Sequence, residues 1–241
     1  EILTSSSGVV GVRLASGEVI ESSVVVANAD ANHVACDLLS PAAGKSLKRK
    51  AQPSMSGYNA ILKCAQPRES PRVAHTVIFP RDYLQEFEDI FDHNRAPLDP
   101  TVYACAPVTC HNQSQWEAHE PLFVMANVPS LGPQQNEAHN YGDLKQRVFE
   151  QLERFSLMQP DDELVWERTP NELAALFPGS AGAIYGAASN SQSAAFRRPA
   201  NRVRQMPGLY LASGTSHPGG GIPLAMLSGV AAREAIEQDG F

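Results

Sequence analysis

The chain has 241 residues, 43% of them hydrophobic and 19% charged, with a formal net charge of −7. That length holds one large domain or two modest ones, the composition is that of a globular chain, and the negative balance argues against a nucleic-acid partner. No apolar run reaches the ~18–20 residues that span a bilayer, and the start, Glu1-Ile2-Leu3-Thr4, lacks the basic residues of a secretory leader. The 4 cysteines, Cys36, Cys64, Cys105 and Cys110, have none of the paired spacings of a zinc site. Cys105, Cys110 and His111 therefore read as strand and loop residues of an intracellular protein, and no metal is expected.

Residues 1–28 read as a β-hairpin or meander. Val9, Val10, Val12 and Leu14 form one run, Ala15-Ser16-Gly17 turns it, and Val19 to Val26 forms the next, ending at Asn28. Asp30 is a natural N-cap for a helix over Asn32 to Leu39, and Ser40-Pro41 stops it. Lys45, Lys48, Arg49 and Lys50 then make a basic patch. Its plainer reading is a solvated helix face, and its sharper one is contact with anionic lipid head groups. Tyr58 to Lys63 and Val73 to Phe79 alternate as strands do, with a loop over Gln66 to Pro71 between them. Asp82 caps a helix through Phe87, Ile90 and Phe91, and two more strands follow at Thr101–Cys105 and Pro121–Val128. Asn140 to Leu157 carries a helical stripe of Leu144, Val148, Leu152 and Phe155, with Glu150 and Arg154 one turn apart. Leu164–Glu167 reads as a short strand, and Thr169-Pro170-Asn171-Glu172 as a helix start.

The most informative stretch comes last, PGLYLASGTSHPGGGIPLAMLSGVAAREAIEQ. Leu209 to Ala212 is a short apolar run of the buried-strand kind. The cluster Gly219, Gly220, Gly221 follows, then Pro223, then Leu224, Leu227, Val230, Ala231 and Ile236 at helical spacing. Strand, glycine loop and helix start together let backbone approach a ligand and offer it free N–H groups with a partial positive charge. On glycine content alone, a tight loop with nothing bound fits equally well.

The residue order says more. Leu209, Tyr210, Gly214, Thr215, His217, Pro218, Gly219, Gly220, Gly221, Pro223, Ser228, Gly229 and Ala232 match the C-terminal signature of the bacterial-type phytoene desaturase family, FAD-dependent carotenoid desaturases and their relatives. The departure is Ser216, which stands between Thr215 and His217 where many relatives run directly from Thr to His. Further resemblances lie in GVVGVRLASGEVIESSVVVANAD, His75–Phe79 with Asp82-Tyr83, Asp99–Tyr103, Phe177-Pro178-Gly179 through Gly186, and Phe196-Arg197-Arg198-Pro199. Family members are about twice this long and carry a dinucleotide fingerprint near their N-terminus. This chain has none, so it reads as the C-terminal half of such a protein.

The resemblance implies an α/β fold of the α+β mixed kind. A partial FAD-binding domain, two-domain and glutathione-reductase-like, would comprise 1–52 and 178–241. A mixed-sheet substrate domain with a helical layer would comprise 53–177. It also implies FAD as cofactor, an apolar polyene as substrate, and an N-terminal FAD-binding half as partner. The expected location is cytoplasmic, with peripheral membrane contact left open. The reaction implied is loss of a hydride and a proton from the polyene chain. The expected cofactor contacts are Gly219, Gly220, Gly221, Ile222 and Pro223, followed by Gly214, Thr215 and His217. Ala27, Asn28 and Ala29 are placed near the adenosine half of FAD or else at a plain strand end. Arg197 and Arg198 read as solvated surface rather than as a hinge or cofactor contact. No residue is assigned as catalytic base, and His217 reads as loop support. Two other readings stay open: another FAD oxidoreductase of the same superfamily, retinoid-saturase or amine-oxidase-like, and a non-catalytic module that binds an apolar ligand. The strands at His75–Phe79 and Asp99–Tyr103 favour the desaturase.

Overall fold

Alternating apolar residues at the start of the chain fold as a meander. Ile2–Ser5 (β1), Gly8–Arg13 (β2) and Val19–Glu21 (β3) pair antiparallel in that order. The structure, a computed structural model, describes residues 1–48, 52–65, 72–107, 119–132, 141–189 and 198–241. It comprises two units, Glu1–Ser54 with Ala174–Phe241, and Met55–Leu173. The chain mixes helices with several sheets, an α+β arrangement.

In the first unit the valine run 19–26 breaks at Ser22, whose Oγ donates to the Val24 carbonyl at 2.6 Å. Val25–Ala27 (β4) leaves the meander and pairs in parallel with Leu209–Leu211 (β10). Asp30 caps the next helix as expected, its Oδ1 accepting the Asn32 N–H at 2.7 Å. That helix is one α-turn, Ala31–His33 (α1), running into a π-helical turn, Val34–Leu38. Ser40-Pro41 ends it and also opens a further short helix, Pro41–Gly44 (α2), because serine caps well and proline suits a first turn. Of the basic patch, Arg49 and Lys50 lie outside the described residues.

Strand β10 is covered on both faces. Leu209 and Leu211 are buried with Ile2, Val9, Val34 and Leu47. Tyr210 points the other way and packs with Ala232 of the last helix, Ile222–Asp239 (α6). The Tyr210 hydroxyl donates to Asp239 at 2.6 Å, which fixes the far end of that helix to the strand. Leu224, Leu227 and Val230, which recur at helical spacing, are exposed, and α6 buries Ser228 and Ala232. Small side chains let helix and strand approach closely, which larger ones on that face would prevent.

The second unit is one sheet. Ser56–Ala65 (β5), His75–Ile78 (β6), Val102–Cys105 (β7), His119–Val128 (β8) and Glu163–Arg168 (β9) lie in the order β6-β7-β8-β5-β9. Every pairing is antiparallel, so the expectation of a mixed sheet is corrected. The helix between β6 and β7, Tyr83–Phe91 (α3), buries Glu86, Asp89 and Ile90.

Tyr141–Arg154 (α4) seals one face of this sheet. Leu144, Val148 and Leu152 are fully buried among Tyr58, Ala60, Leu62 and Val124. Phe155, the fourth member of the sequence stripe, is 53% exposed, because the helix ends at Arg154 and Ser156 turns with φ +56°. Leu157 takes the core position. Pro170–Leu176 (α5) follows β9, and Glu172 Oε2 accepts the Thr169 N–H at 2.7 Å, one half of a capping box. Leu144→Ala is expected to cost about 2–5 kcal/mol in chemical denaturation. Phe155→Ala is expected to stay within about 0.5 kcal/mol of wild type, although the sequence pattern ranks the two positions alike.

Candidate functional site

Two parallel strands deliver their carboxyl ends to the same edge, the usual location of a ligand crevice in α/β sheets. Strand β4 ends in Asn28-Ala29-Asp30 and β10 ends in Ala212-Ser213, where the glycine loop begins. The two ends are joined. The Ala212 N–H donates to the Ala27 carbonyl at 3.0 Å, and Asn28 Nδ2 donates to the Ala212 carbonyl at 2.5 Å. The Ala31 N–H donates to Thr215 Oγ1 at 2.8 Å, so the loop also holds the start of α1. Burial lifts the Asp30 carboxyl above the usual carboxylate range, against hydrogen bonds from the Asn32 and His33 amides that lower it.

The loop from Ser213 to Gly221 is shaped by hydroxyls before it reaches the glycines. Ser216 is fully buried; its Oγ donates to the Ser213 carbonyl at 2.9 Å and accepts the Ser213 N–H at 3.1 Å. The same oxygen lies 2.8 Å from Ser228 Oγ on α6. Asn201 sits below, with Nδ2 within 3.1 Å of the carbonyls of Leu211, His217 and Ser228 and 2.8 Å from Ser228 Oγ. Strand, loop and helix are thereby joined through one buried amide. The sequence reading treated Ser216 as a departure from pattern; in the structure it is the hydroxyl that ties loop to helix.

At the glycines the loop approaches a second segment. A Cβ on Gly220 would lie 2.8 Å from the Tyr185 backbone, so this contact requires glycine. Gly221 is the N-cap of α6 with φ +91° and no side-chain cap. A Cβ there would meet nothing within 4 Å, so the space before the helix is open. The first intrahelical bond is from the Ala225 N–H to the Gly221 carbonyl, at 2.9 Å, which leaves the preceding amides for a ligand.

The structure brings all eight predicted site residues into this single loop and helix start. Gly214 and Thr215 are half-buried, Gly219 is buried, Gly220 and Gly221 are half-buried, and Ile222 and Pro223 are exposed. His217 supports the loop through its backbone: its N–H donates to the Pro199 carbonyl at 2.8 Å and its carbonyl accepts from Asn201. The imidazole is exposed and makes no hydrogen bond among the described residues. Arg198 corrects its reading as solvated surface. Nη1 donates to the carbonyls of Tyr185 at 3.0 Å and Gly214 at 3.1 Å, and Nη2 to that of Ala187 at 2.9 Å. Arg197 lies outside the described residues. Asn201 and Ser228 were missed by sequence reasoning. A polar residue between glycine and apolar neighbours in a helix, as in Leu227-Ser228-Gly229-Val230, was the available signal for close packing. Asn201→Ala is expected to cost about 1–3 kcal/mol, because several buried acceptors lose their donor; denaturant titration against Asn201→Asp and wild type checks it.

No protein-family model matches the chain. Among curated proteins it is 35% identical over 240 residues to hydroxyneurosporene desaturase of Rubrivivax gelatinosus, covering 98% of this chain and 45% of that protein. It is 31% identical to 4,4'-diapolycopene oxygenase of Methylomonas sp, over 99% of this chain and 49% of that protein. It is 29% identical to the zeta-carotene-forming phytoene desaturase of Myxococcus xanthus, over 94% of this chain and 44% of that protein. The chain thus spans about half the length of the curated relatives it matches. With its glycine loop, parallel strand pair and nearly complete coverage by these relatives, the chain belongs to the carotenoid desaturase and oxygenase family and corresponds to its C-terminal part.

Proposed function

We propose that the chain is the C-terminal part of a FAD-dependent carotenoid desaturase, and that the loop from Gly214 to Pro223 holds the flavin. The observation that carries this reading is the open, uncapped helix start. Gly221 leaves room that any side chain would fill, and the first-turn amides of α6 have no side-chain acceptor. An anionic or electron-rich group suits that position, because the helix N-terminus carries about half a positive charge. The residues present fit the cofactor. Gly219, Gly220, Gly221, Ile222 and Pro223 would hold it through backbone, and Thr215 through the strand ends that it joins. Bound FAD supplies hydride-acceptor chemistry at its isoalloxazine ring. An N-terminal half carrying the dinucleotide fingerprint would complete a glutathione-reductase-like FAD domain.

The second unit supports an apolar polyene as substrate. The sheet face opposite α4 carries Ile61, Tyr103, Phe123, Met125 and Trp166, all half-buried and linked through cross-strand pairs. A polyene offers no hydrogen-bonding groups, so its binding rests on apolar area at about 25 cal/mol per Å². Peripheral contact with a membrane belongs to the same proposal. Among the described residues no helix is long and apolar enough to cross a membrane, and Phe79 and Leu84, 67% and 75% exposed, offer apolar contacts to one. Relatives named as oxygenases favour one second reading, oxidation of the polyene end rather than insertion of a double bond.

The test uses the full-length protein. Purified wild type is expected to carry flavin, with its characteristic visible absorption, and to lengthen the conjugation of a supplied carotenoid. A product with added oxygen and no added carbon–carbon double bond would select the second reading. Gly221→Val forces a β-branched residue to positive φ and fills the open space. It is expected to lower flavin content by about tenfold or more, equal to ~1.4 kcal/mol. Full flavin content in that variant would remove the loop from the cofactor site.

A further inference from the structure

Arg198 is a cation in contact with the glycine loop, and its surroundings are unusual for a charged residue. Its three hydrogen-bond acceptors are all backbone carbonyls, those of Tyr185, Ala187 and Gly214. Among the described residues no carboxylate pairs with it. A Cβ built on Gly219 would lie 3.2 Å from its Nε and 3.4 Å from its Cζ, so the guanidinium lies directly against the second turn of the loop. Desolvation by burial lowers its pKa from the ordinary arginine value. A neutral glutamine amide has two N–H groups and could join two of these three carbonyls. A full positive charge in the same place costs more to desolvate, and carbonyl dipoles offset only part of that cost.

Resting on the reading that the loop holds a flavin, we infer that Arg198 is a positioning residue. It joins the loop to the 185–187 segment and holds a positive charge against it, which favours the reduced, anionic form of the cofactor. The charge balance gives the direction. A hydride, carrying two electrons and one proton, leaves a neutral oxidised ring with one net negative charge. A cation fixed beforehand stabilises that product and does nothing comparable for the neutral ring. The helix N-terminus at Gly221 acts in the same sense from the other end of the loop. If the cation instead faced the pyrophosphate, both oxidation states would gain equally and the potential would not respond to it.

The experiment measures the two-electron reduction potential of the full-length holoprotein by equilibration with reference dyes, together with the affinity for oxidised FAD. A unit charge roughly 10 Å from another at an effective dielectric of ~20 shifts an equilibrium by about tenfold. Arg198→Gln is therefore expected to lower the potential by the equivalent of tenfold in the ratio of reduced to oxidised binding, about 30 mV for two electrons. Arg198→Lys, which keeps the charge and loses the planar fork, is expected to retain most of the potential. A potential unchanged in Arg198→Gln overturns the inference, even if FAD affinity falls, since loop support or a pyrophosphate contact then explains the residue. A fall in Arg198→Lys as large as in Arg198→Gln also overturns it. Should Arg198→Gln lose the cofactor altogether, the lysine variant decides alone: a near-native potential supports the inference and a tenfold-equivalent fall overturns it. Wild type without flavin overturns the function proposed above and this inference with it, whereas flavin present with an insensitive potential overturns this inference alone.

Discussion

A single buried amide holds the site in shape. Asn201 Nδ2 reaches carbonyls on β10, on the glycine loop and on α6, along with the Ser228 hydroxyl. These groups are buried, and a buried acceptor without a donor costs about 1–3 kcal/mol. Each group is therefore worth more in this arrangement than in any in which one element moves independently. Ser216 adds a second bridge from loop to helix. Because polar contacts fix the loop from below, its upper side needs no apolar packing. Half-buried glycine backbone at Gly220 and Gly221 can persist there without collapsing onto the core.

The same device explains the last helix. A helix that buried Leu224, Leu227 and Val230 against β10 would stand further from the strand, and Ser228 would lose Asn201. Instead α6 approaches through Ser228 and Ala232, and its larger apolar side chains face outward near the open helix start. The hydrophobic pattern of the helix is thus not a record of its own packing in this unit. Close approach by small residues sets the position of the strand, and that position carries the Gly221 amide end to the edge where β4 and β10 both finish.

Much of this was legible in the sequence, for identifiable reasons. Local chemistry predicted the caps at Asp30 and Asp82 and the strand-loop-helix order at the end of the chain, because each depends on neighbours a few residues away. Eight site residues fell in one loop because the motif is continuous in sequence. Arg198 and Asn201 were not legible as site-forming residues. Their partners lie 10–27 residues away in the chain, and nothing in their local pattern separates a buried clamp from a solvated side chain. The mixed sheet expected for the second unit was misread for a related reason: strand direction depends on which strands pair, and β5 finds its antiparallel partners β8 and β9 far along the chain.

The five-stranded sheet poses a problem of register that its apolar residues alone do not solve. Where one face is buried and the other wet, a slip of one residue turns the core side chains outward and is strongly opposed. The α4 face of β5 and β8 carries Tyr58, Ala60, Leu62 and Val124, while the opposite face mixes Ile61, Phe123 and Met125 with Asn59, Lys63 and Asn127. Hydrophobicity alone discriminates only in part between registers, and polar pairs that exist only in the observed one add to it. Asp162 accepts the Ala65 N–H at 2.9 Å at the end of β5, and Arg72 joins Glu120 of β8 to that same aspartate. Near the other end of β5 the Tyr58 hydroxyl donates to Glu167 of β9 at 2.7 Å, and Lys145 of α4 reaches the same carboxylate at 3.1 Å. A one-residue slip would part the buried Arg72, Glu120 and Asp162, leaving charges without partners, and would break the half-exposed contacts at Glu167.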